Sequence, residues 1–163
     1  MSLNSHRKML GFILIVFALG CSSSTDFLIP EKIGDKERTR LITGKQAARV
    51  INKMHGTSVA ADANVIVEYG KDNRKDVLYI THYSDPKEAQ KAFDLMIAKM
   101  TAAETSPFFH LMPLERYQKK VYITLGMGAV HYIYFSGNFL LWLQTFQSFN
   151  AVLPQQLLEL FPL

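Results

Sequence analysis

An apolar run near the amino terminus, Met9–Leu19, decides which part of this 163-residue chain can fold as a globular body. A basic stretch, His6–Lys8, precedes the run, and the small residue Gly20 follows it. The run is too short to cross a bilayer, which takes about 20 apolar residues. A basic start, a short apolar core and a small residue at its end are typical of a secretory signal peptide. We therefore predict that residues 1–20 are a signal peptide and that the folded body comes after it.

The run ends in Ala18-Leu19-Gly20-Cys21, and Cys21 is the only cysteine of the chain. This segment resembles the lipobox of bacterial lipoproteins, although Ala18 stands where Leu is usual and Leu19 where a small residue is usual. The resemblance implies lipid attachment to Cys21, cleavage before it, and a cell-envelope location. Ser22, in place of an Asp, favours the outer membrane facing the periplasm over the inner membrane. The alternatives are an ordinary cleaved signal or an uncleaved helix. The rest of the chain resembles no family.

The charge of the mature chain is close to neutral. Residues 21–163 contain 16 basic and 14 acidic residues. Such a balance gives no basic footprint for nucleic acid, so no nucleic-acid partner is expected. A lipidated Cys21 would leave no thiol for a disulfide or for catalysis. The length suits one domain with a real core.

A polar stretch separates the cysteine from the body. It opens with Ser22–Thr25 and continues through the charged run Glu31–Arg40. We predict that residues 21–42 are a flexible tether and that residues 43–163 form a single domain. The alternative is that Phe27–Ile29, the main apolar interruption, adds an edge strand to the body.

Apolar spacing in the body predicts an α+β fold. A helix begins near Thr43, a second runs from Pro86 to about Ala103 behind a capping Asp85, and a short one covers Pro154–Leu160. Alternating patterns predict a hairpin and a three-stranded meander with strands near 65–69, 77–83, 121–125, 129–135 and 139–146. The expected fold is an antiparallel sheet of about five strands with two main helices on one face. Phe108–Leu114 is expected to be a loop over the core, or alternatively an exposed patch for a partner.

Motifs for catalysis or metal binding are absent from the sequence. The body has four histidines, and no two of them have close ligand spacing. His82 and His131 lie within predicted strands and could face each other across the sheet. There is no Gly-x-Ser-x-Gly elbow, no dinucleotide fingerprint and no haem attachment motif. We therefore expect no catalytic residue, no metal and no cofactor.

The densest aromatic zone lies in the last two strands. If the body has a ligand site, the candidate residues are His131, Tyr132, Tyr134 and Trp142, since Tyr and Trp combine an apolar ring with a polar tip. The alternative is that these residues fill the core. The expected protein is a lipid-anchored envelope protein, not an enzyme, that binds a protein partner or a small apolar ligand. The alternatives are a metal- or haem-associated or enzymatic envelope protein that uses its histidines, and a structural spacer.

Overall fold

An antiparallel sheet of eight strands dominates the computed structural model, which describes residues 28–55, 61, 63–71, 73–103, 105–118, 120–146 and 152–163. In chain order the strands are β1 (Lys32–Ile33), β2 (Lys36–Thr43), β3 (Ala63–Tyr69), β4 (Asp76–His82), β5 (Phe108–Pro113), β6 (Val121–Gly126), β7 (Ala129–Ser136) and β8 (Phe139–Thr145). The helices are α1 (Gly44–His55), α2 (Pro86–Ala102) and α3 (Gln155–Leu160), with a 3₁₀ turn at Glu115–Tyr117. None of the helices among these residues is long and apolar enough to span a bilayer.

The strand order is β1-β2-β3-β4-β8-β7-β6-β5. Two four-stranded meanders, β1–β4 and β5–β8, therefore join through the pairing of β4 with β8, and α2 connects one meander to the other. The sheet curls into a half-barrel with an inner and an outer face. The inner face carries the larger core cluster, and α3 lies against it. Its members from the sheet and from the segment around α3 include Tyr69, Leu78, Ile80, Val121, Ile123, Tyr132, Tyr134, Leu141, Leu143, Leu153, Leu157 and Phe161.

Helices α1 and α2 both pack on the outer face. Ala47 and Ile51 of α1 are buried against Ile66 of β3. Phe93 of α2 meets the ring of Phe135 at a centroid distance of 5.3 Å. Alternation explains the division, because successive residues of a strand point to opposite faces. The outer face is thus covered by amphipathic helices and the inner face by the carboxy-terminal segment.

The Asp85 side chain caps α2 by accepting a hydrogen bond from the backbone N–H of Lys87 at 2.9 Å. The helix ends at Ala102, one residue before the predicted end. Pro86 occupies the first turn, where its missing N–H costs nothing. The cap and the apolar stripe at helical spacing together make α2 predictable from the sequence.

The predicted fold, a five-stranded sheet with two main helices, is wrong. The described residues contain eight strands and three helices, and the additional strands are β1, β2 and β5. Strand β5 occupies the stretch that was expected to be a loop. It is an edge strand, where flanking prolines are tolerated because one side of the backbone needs no ladder partner.

Strands β1 and β2 lie inside the stretch that was predicted to be a flexible tether. Ile33 is buried in the inner core, and Ile29 packs against it. The Pro30 carbonyl accepts a hydrogen bond of 2.9 Å from the hydroxyl of the buried Tyr69. The tether prediction for residues 21–42 is therefore wrong from Ile29 onward. Of the proposed edge strand at Phe27–Ile29, Phe27 lies outside the described residues, and Leu28 and Ile29 are not in a strand.

Candidate functional site

His131 and Trp142, two of the four predicted site residues, are bonded to each other on the outer face. The Trp142 indole N–H donates to His131 Nδ1 at 2.9 Å. An indole N–H can only donate, so Nδ1 must accept and the imidazole proton sits on Nε2. Nε2 in turn donates to the Gly126 carbonyl at 3.0 Å. Both nitrogens of His131 are therefore occupied within the protein.

Phe108 of β5 completes an aromatic cluster with this pair. Its ring lies 5.0 Å from the His131 ring and 5.3 Å from the Trp142 ring, both edge to face. A Cβ atom on Gly126 would lie 2.4 Å from the Phe108 ring, so the cluster depends on glycine at that position. His131 is 1% exposed, and burial lowers its pKa, although the hydrogen bond to Gly126 acts in the opposite direction. The cluster thus holds a neutral imidazole that ties β5 to β7 and β8.

Tyr132 and Tyr134 lie on the inner face, opposite to His131. Both are buried in the inner core, with exposures of 2% and 0%. Burial raises the pKa of Tyr134, and its hydroxyl has no hydrogen-bond partner among the described residues. The sheet therefore separates the four predicted residues into two pairs on opposite faces. A ligand role for them stays a prediction.

A groove between α1 and α2 exposes one side of Trp142. It is lined by Ile51, Met54, Tyr79, Thr81, Met96, Leu140 and Trp142. Its volume is only about 30 Å³. A water molecule needs roughly 10–15 Å³ by this measure, so the groove holds little more than one or two. It is too small for a ligand site in this conformation.

A larger cleft opens at one end of the half-barrel, where β6, β7 and β8 meet the edge strand β5. We call it the apolar cleft, and its lining residues are Phe109, Leu125, Gly126, Gly128, Ala129, Val130, Thr145 and Phe146. Its volume is about 250 Å³. An engineered apolar cavity of about 150 Å³ admits benzene, so this cleft has room for an aromatic or branched aliphatic group.

A bulge in β5 shapes the rim of the cleft. Phe109 pairs with Leu125 and Met112 pairs with Ile123, which places both on the inner face although they are three residues apart. The bulge centres on His110, whose φ is +56°. The buried Thr124 hydroxyl donates to the Phe109 carbonyl at 2.9 Å, which compensates for the interrupted ladder. Bulges of this kind re-aim side chains next to functional sites.

Large apolar side chains are exposed around the cleft. Phe109 is 54% exposed, Met112 43% and Met127, in the β6–β7 turn, 72%. Sequence reasoning identified this surface only in part, through the alternative that Phe108–Leu114 is a partner patch. The sequence signal for this surface is that the six residues of β5 include no acidic residue, lysine or arginine. The turn residue Met127 had no signal beyond its two flanking glycines.

The three histidines with described side chains, His82, His110 and His131, do not assemble into a site. His82 pairs with Phe139 on the inner face, whereas His131 pairs with Gln144 on the outer face, so the two do not meet. His110 is exposed on the edge strand, and the side chain of His55 is not described. The described residues contain no group of three His, Cys, Asp or Glu side chains suited to hold a metal ion. Cys21 and the predicted signal peptide lie outside the described residues.

Comparison with known proteins finds no match, whether to family models, to curated proteins or to solved structures.

Proposed function

We propose that this protein is a lipid-anchored cell-envelope protein with a non-catalytic role, and that its apolar cleft takes an apolar side chain of a protein partner. The observation that carries the binding role is the cleft itself, about 250 Å³ in volume with the 54% exposed Phe109 in its wall. Burying that ring and the group that fills the cleft would remove apolar area from water, which stabilises the complex by about 25 cal/mol for each Å² buried. The lipid anchor rests on the lipobox resemblance at Cys21.

A protein partner explains more of this surface than a free small ligand does. Met112 and Met127 extend the apolar area beyond the cleft, where a ligand small enough for the cleft would leave them in water. Exposed apolar patches with such a rim mark interaction sites. Methionine side chains adapt to different partner shapes at little cost. Strand β5 also ends the described sheet and has a neighbouring strand on one side only, so an extended segment of a partner can pair with its backbone along the other edge.

A binding role also agrees with the use of the buried imidazole. General base catalysis needs a nitrogen within reach of a substrate proton. Both His131 nitrogens are bonded to Trp142 and Gly126 instead. His131 therefore acts as a structural bridge between strands, and the other described histidines lie apart from it.

The lipid anchor is tested by Cys21→Ala. Cells that express the variant should incorporate no fatty-acid analogue into this protein, and the signal should stay uncleaved, because the acceptor thiol is gone. Ser23→Ala, two residues on, is the control and should label like the wild type. Equal labelling of the Cys21→Ala protein and the wild type would refute the anchor.

The cleft is tested by photo-crosslinking in intact cells. A photoreactive amino acid at position 109 should yield a discrete protein adduct, whereas one at position 95 should not. Leu95 is the matched control, since it is 53% exposed against 54% for Phe109 but lies on α2, outside the cleft. Adding Met127→Glu should suppress the adduct from position 109, because a charge at the rim opposes apolar contact. An adduct of equal yield from position 95 would refute the proposed cleft function, and so would a yield from position 109 that Met127→Glu leaves unchanged.

A further inference from the structure

Positive charge is concentrated in one segment of the mature chain. Between Lys32 and Lys53 there are seven basic and two acidic residues, whereas the rest of residues 21–163 contains nine basic and twelve acidic residues. The near-neutral total therefore hides a local excess of five positive charges, balanced by an excess of three negative charges elsewhere. This segment comprises β1, β2 and most of α1.

Helix α1 presents part of this charge as a row on its exposed side. Lys45, Arg49 and Lys53 follow one another at intervals of four residues, so they lie along one face of the helix, and all three are exposed. The helix contains no acidic residue. The opposite side carries Ala47 and Ile51, which are buried against the sheet. We call the three exposed residues the cationic row.

Two more cations lie on the same face of the sheet as α1. Arg40 and Lys75 both contact Glu68, at 3.1 and 2.8 Å. The hydrogen bond from Lys75, outweighing the effect of burial, lowers the pKa of Glu68, so the carboxylate stays charged at neutral pH. One negative charge between two positive ones still leaves a net positive charge. Strands β2 and β3 together contain three basic residues and two acidic ones, so they do not offset the charge of the cationic row.

Exposed apolar side chains accompany the row on the same helix. Val50 is 39% exposed and Met54 is 53% exposed. A helix with a basic exposed side and apolar residues beside it is the type that lies on a membrane surface. The second condition for such binding is proximity. Leu28 comes seven positions after Cys21, and a fully extended chain of that length reaches at most about 25 Å.

We propose that α1 binds the headgroups of anionic phospholipids through the cationic row, with Val50 and Met54 at the lipid surface. This rests on the proposed lipid anchor, which would keep the body at a high effective concentration next to the bilayer. Each Lys or Arg near an anionic surface contributes roughly a fivefold factor to binding. Lipid attachment alone would leave the orientation of the body open, and the cationic row fixes which side faces the membrane.

The experiment uses the lipidated full-length protein, purified and reconstituted into vesicles. A polarity-sensitive fluorophore is placed on α1 through Gln46→Cys, an exposed position beside the row. Cys21 is blocked by its own lipid, so the new cysteine is the single labelling site. With vesicles of phosphatidylglycerol and phosphatidylcholine the emission should shift to the blue. It should not shift with phosphatidylcholine alone, and high salt should abolish the shift.

Two charge variants test whether the cationic row is responsible for the docking. Replacing the row, Lys45→Gln/Arg49→Gln/Lys53→Gln, should lower the ratio of docked to undocked protein roughly 100-fold, about fivefold for each charge. The control, Lys87→Gln/Lys91→Gln/Lys99→Gln, removes three exposed charges from α2 and should leave the ratio near that of the wild type. Thermal unfolding of both variants checks that the fold is kept.

Other outcomes are separable. Protein that floats with the vesicles but shows no shift on anionic lipid overturns the membrane docking and leaves the anchor standing. If the protein does not float and the fluorophore also reacts with Cys21, the thiol carries no lipid, and both the anchor and the docking are overturned. An equal loss of docking in the α2 variant overturns the role of the cationic row. A shift caused by polyglutamate in solution, but not by anionic vesicles, overturns the lipid proposal in favour of an acidic protein partner.

Discussion

His131 is buried as a neutral imidazole, and protonation would remove the one acceptor that the Trp142 N–H uses. Burial lowers the pKa of His131, with the Gly126 hydrogen bond opposing it. A histidine has a pKa of about 6.5 in the unfolded chain. Between that value and the lower folded pKa, the unfolded state binds more protons than the folded state. The stability that neutral His131 contributes is therefore fully present above about pH 6.5, and it is lost as the pH falls through the folded-state pKa.

We expect the free energy of unfolding to decrease below about pH 6.5, by up to about 1.4 kcal/mol per pH unit for this single proton. His131→Gln should lower stability at pH 7 but remove this part of the pH dependence. His110→Gln is the control, because it removes an exposed imidazole that bonds neither Trp142 nor Gly126. Urea unfolding at several values between pH 7 and pH 5 measures the slopes. A His131→Gln slope equal to that of the wild type would contradict the assignment.

Helix α2 depends on tertiary burial, since a helix of this length is marginal on its own in water. Phe93 is 5% exposed and touches Phe135 and Tyr122, whose ring centroids lie 5.3 and 5.7 Å away. Phe93→Ala should cost about 3–5 kcal/mol through lost burial and a cavity. Lys91, two positions earlier, is exposed, and Lys91→Ala should stay within about 0.5 kcal/mol of the wild type. Urea unfolding compares the two. Similar costs for both would mean that α2 does not dock through Phe93.

The elements that sequence reasoning found are those with a clear period. Strands β3 and β4 and helix α2 show regular spacing of apolar residues, with Asp85 marking the start of the helix. Strand β2 reads Lys-Glu-Arg-Thr-Arg-Leu-Ile-Thr and has no alternation, because most of its side chains are exposed. Its pairing with β3 is a backbone ladder, which leaves no pattern in the side chains. A charged run is typical of a tether, but charge also protects an exposed sheet edge, and β1 covers only Lys36 and Glu37 of β2.

The candidate site shows the same limit at strand β5. The sequence contains the apolar residues, but the bulge at His110 that puts Phe109 and Met112 on one face depends on the partner strand β6. Likewise, His131 and Tyr132 are adjacent in sequence and lie on opposite faces. Their opposite placement follows from strand alternation within β7. Treating the aromatic residues of β7 and β8 as one cluster ignores that alternation.

At the scale of the whole molecule, the two ends of the described chain close the same core. Ile33 of β1 lies in the inner cluster together with Leu153, Leu157 and Phe161 from around α3. Asp76, 1% exposed, accepts from the Lys36 ammonium at 2.8 Å and from the Phe146 backbone N–H at 3.2 Å. It thereby links β2, β4 and the end of β8. The half-barrel therefore depends on contacts between residues far apart in sequence.

This arrangement predicts that the charged segment before Leu41 is required for folding. A chain that begins at Leu41 lacks β1 and most of β2, uncovers Tyr69 and leaves Asp76 without Lys36. Breaking a buried ion pair by removing one partner costs about 3–5 kcal/mol, against a total stability of about 5–15 kcal/mol. At about 4 °C per kcal/mol for a domain of this size, the midpoint of thermal unfolding should fall by at least 12 °C, or cooperative unfolding should vanish. A chain that begins at Leu28 keeps every one of these contacts and should unfold within about 2 °C of one that begins at Ser22. If the chain from Leu41 unfolds as cooperatively and at nearly the same temperature as these two, residues up to Arg40 are a tether after all and the eight-stranded sheet is wrong at its β1 edge.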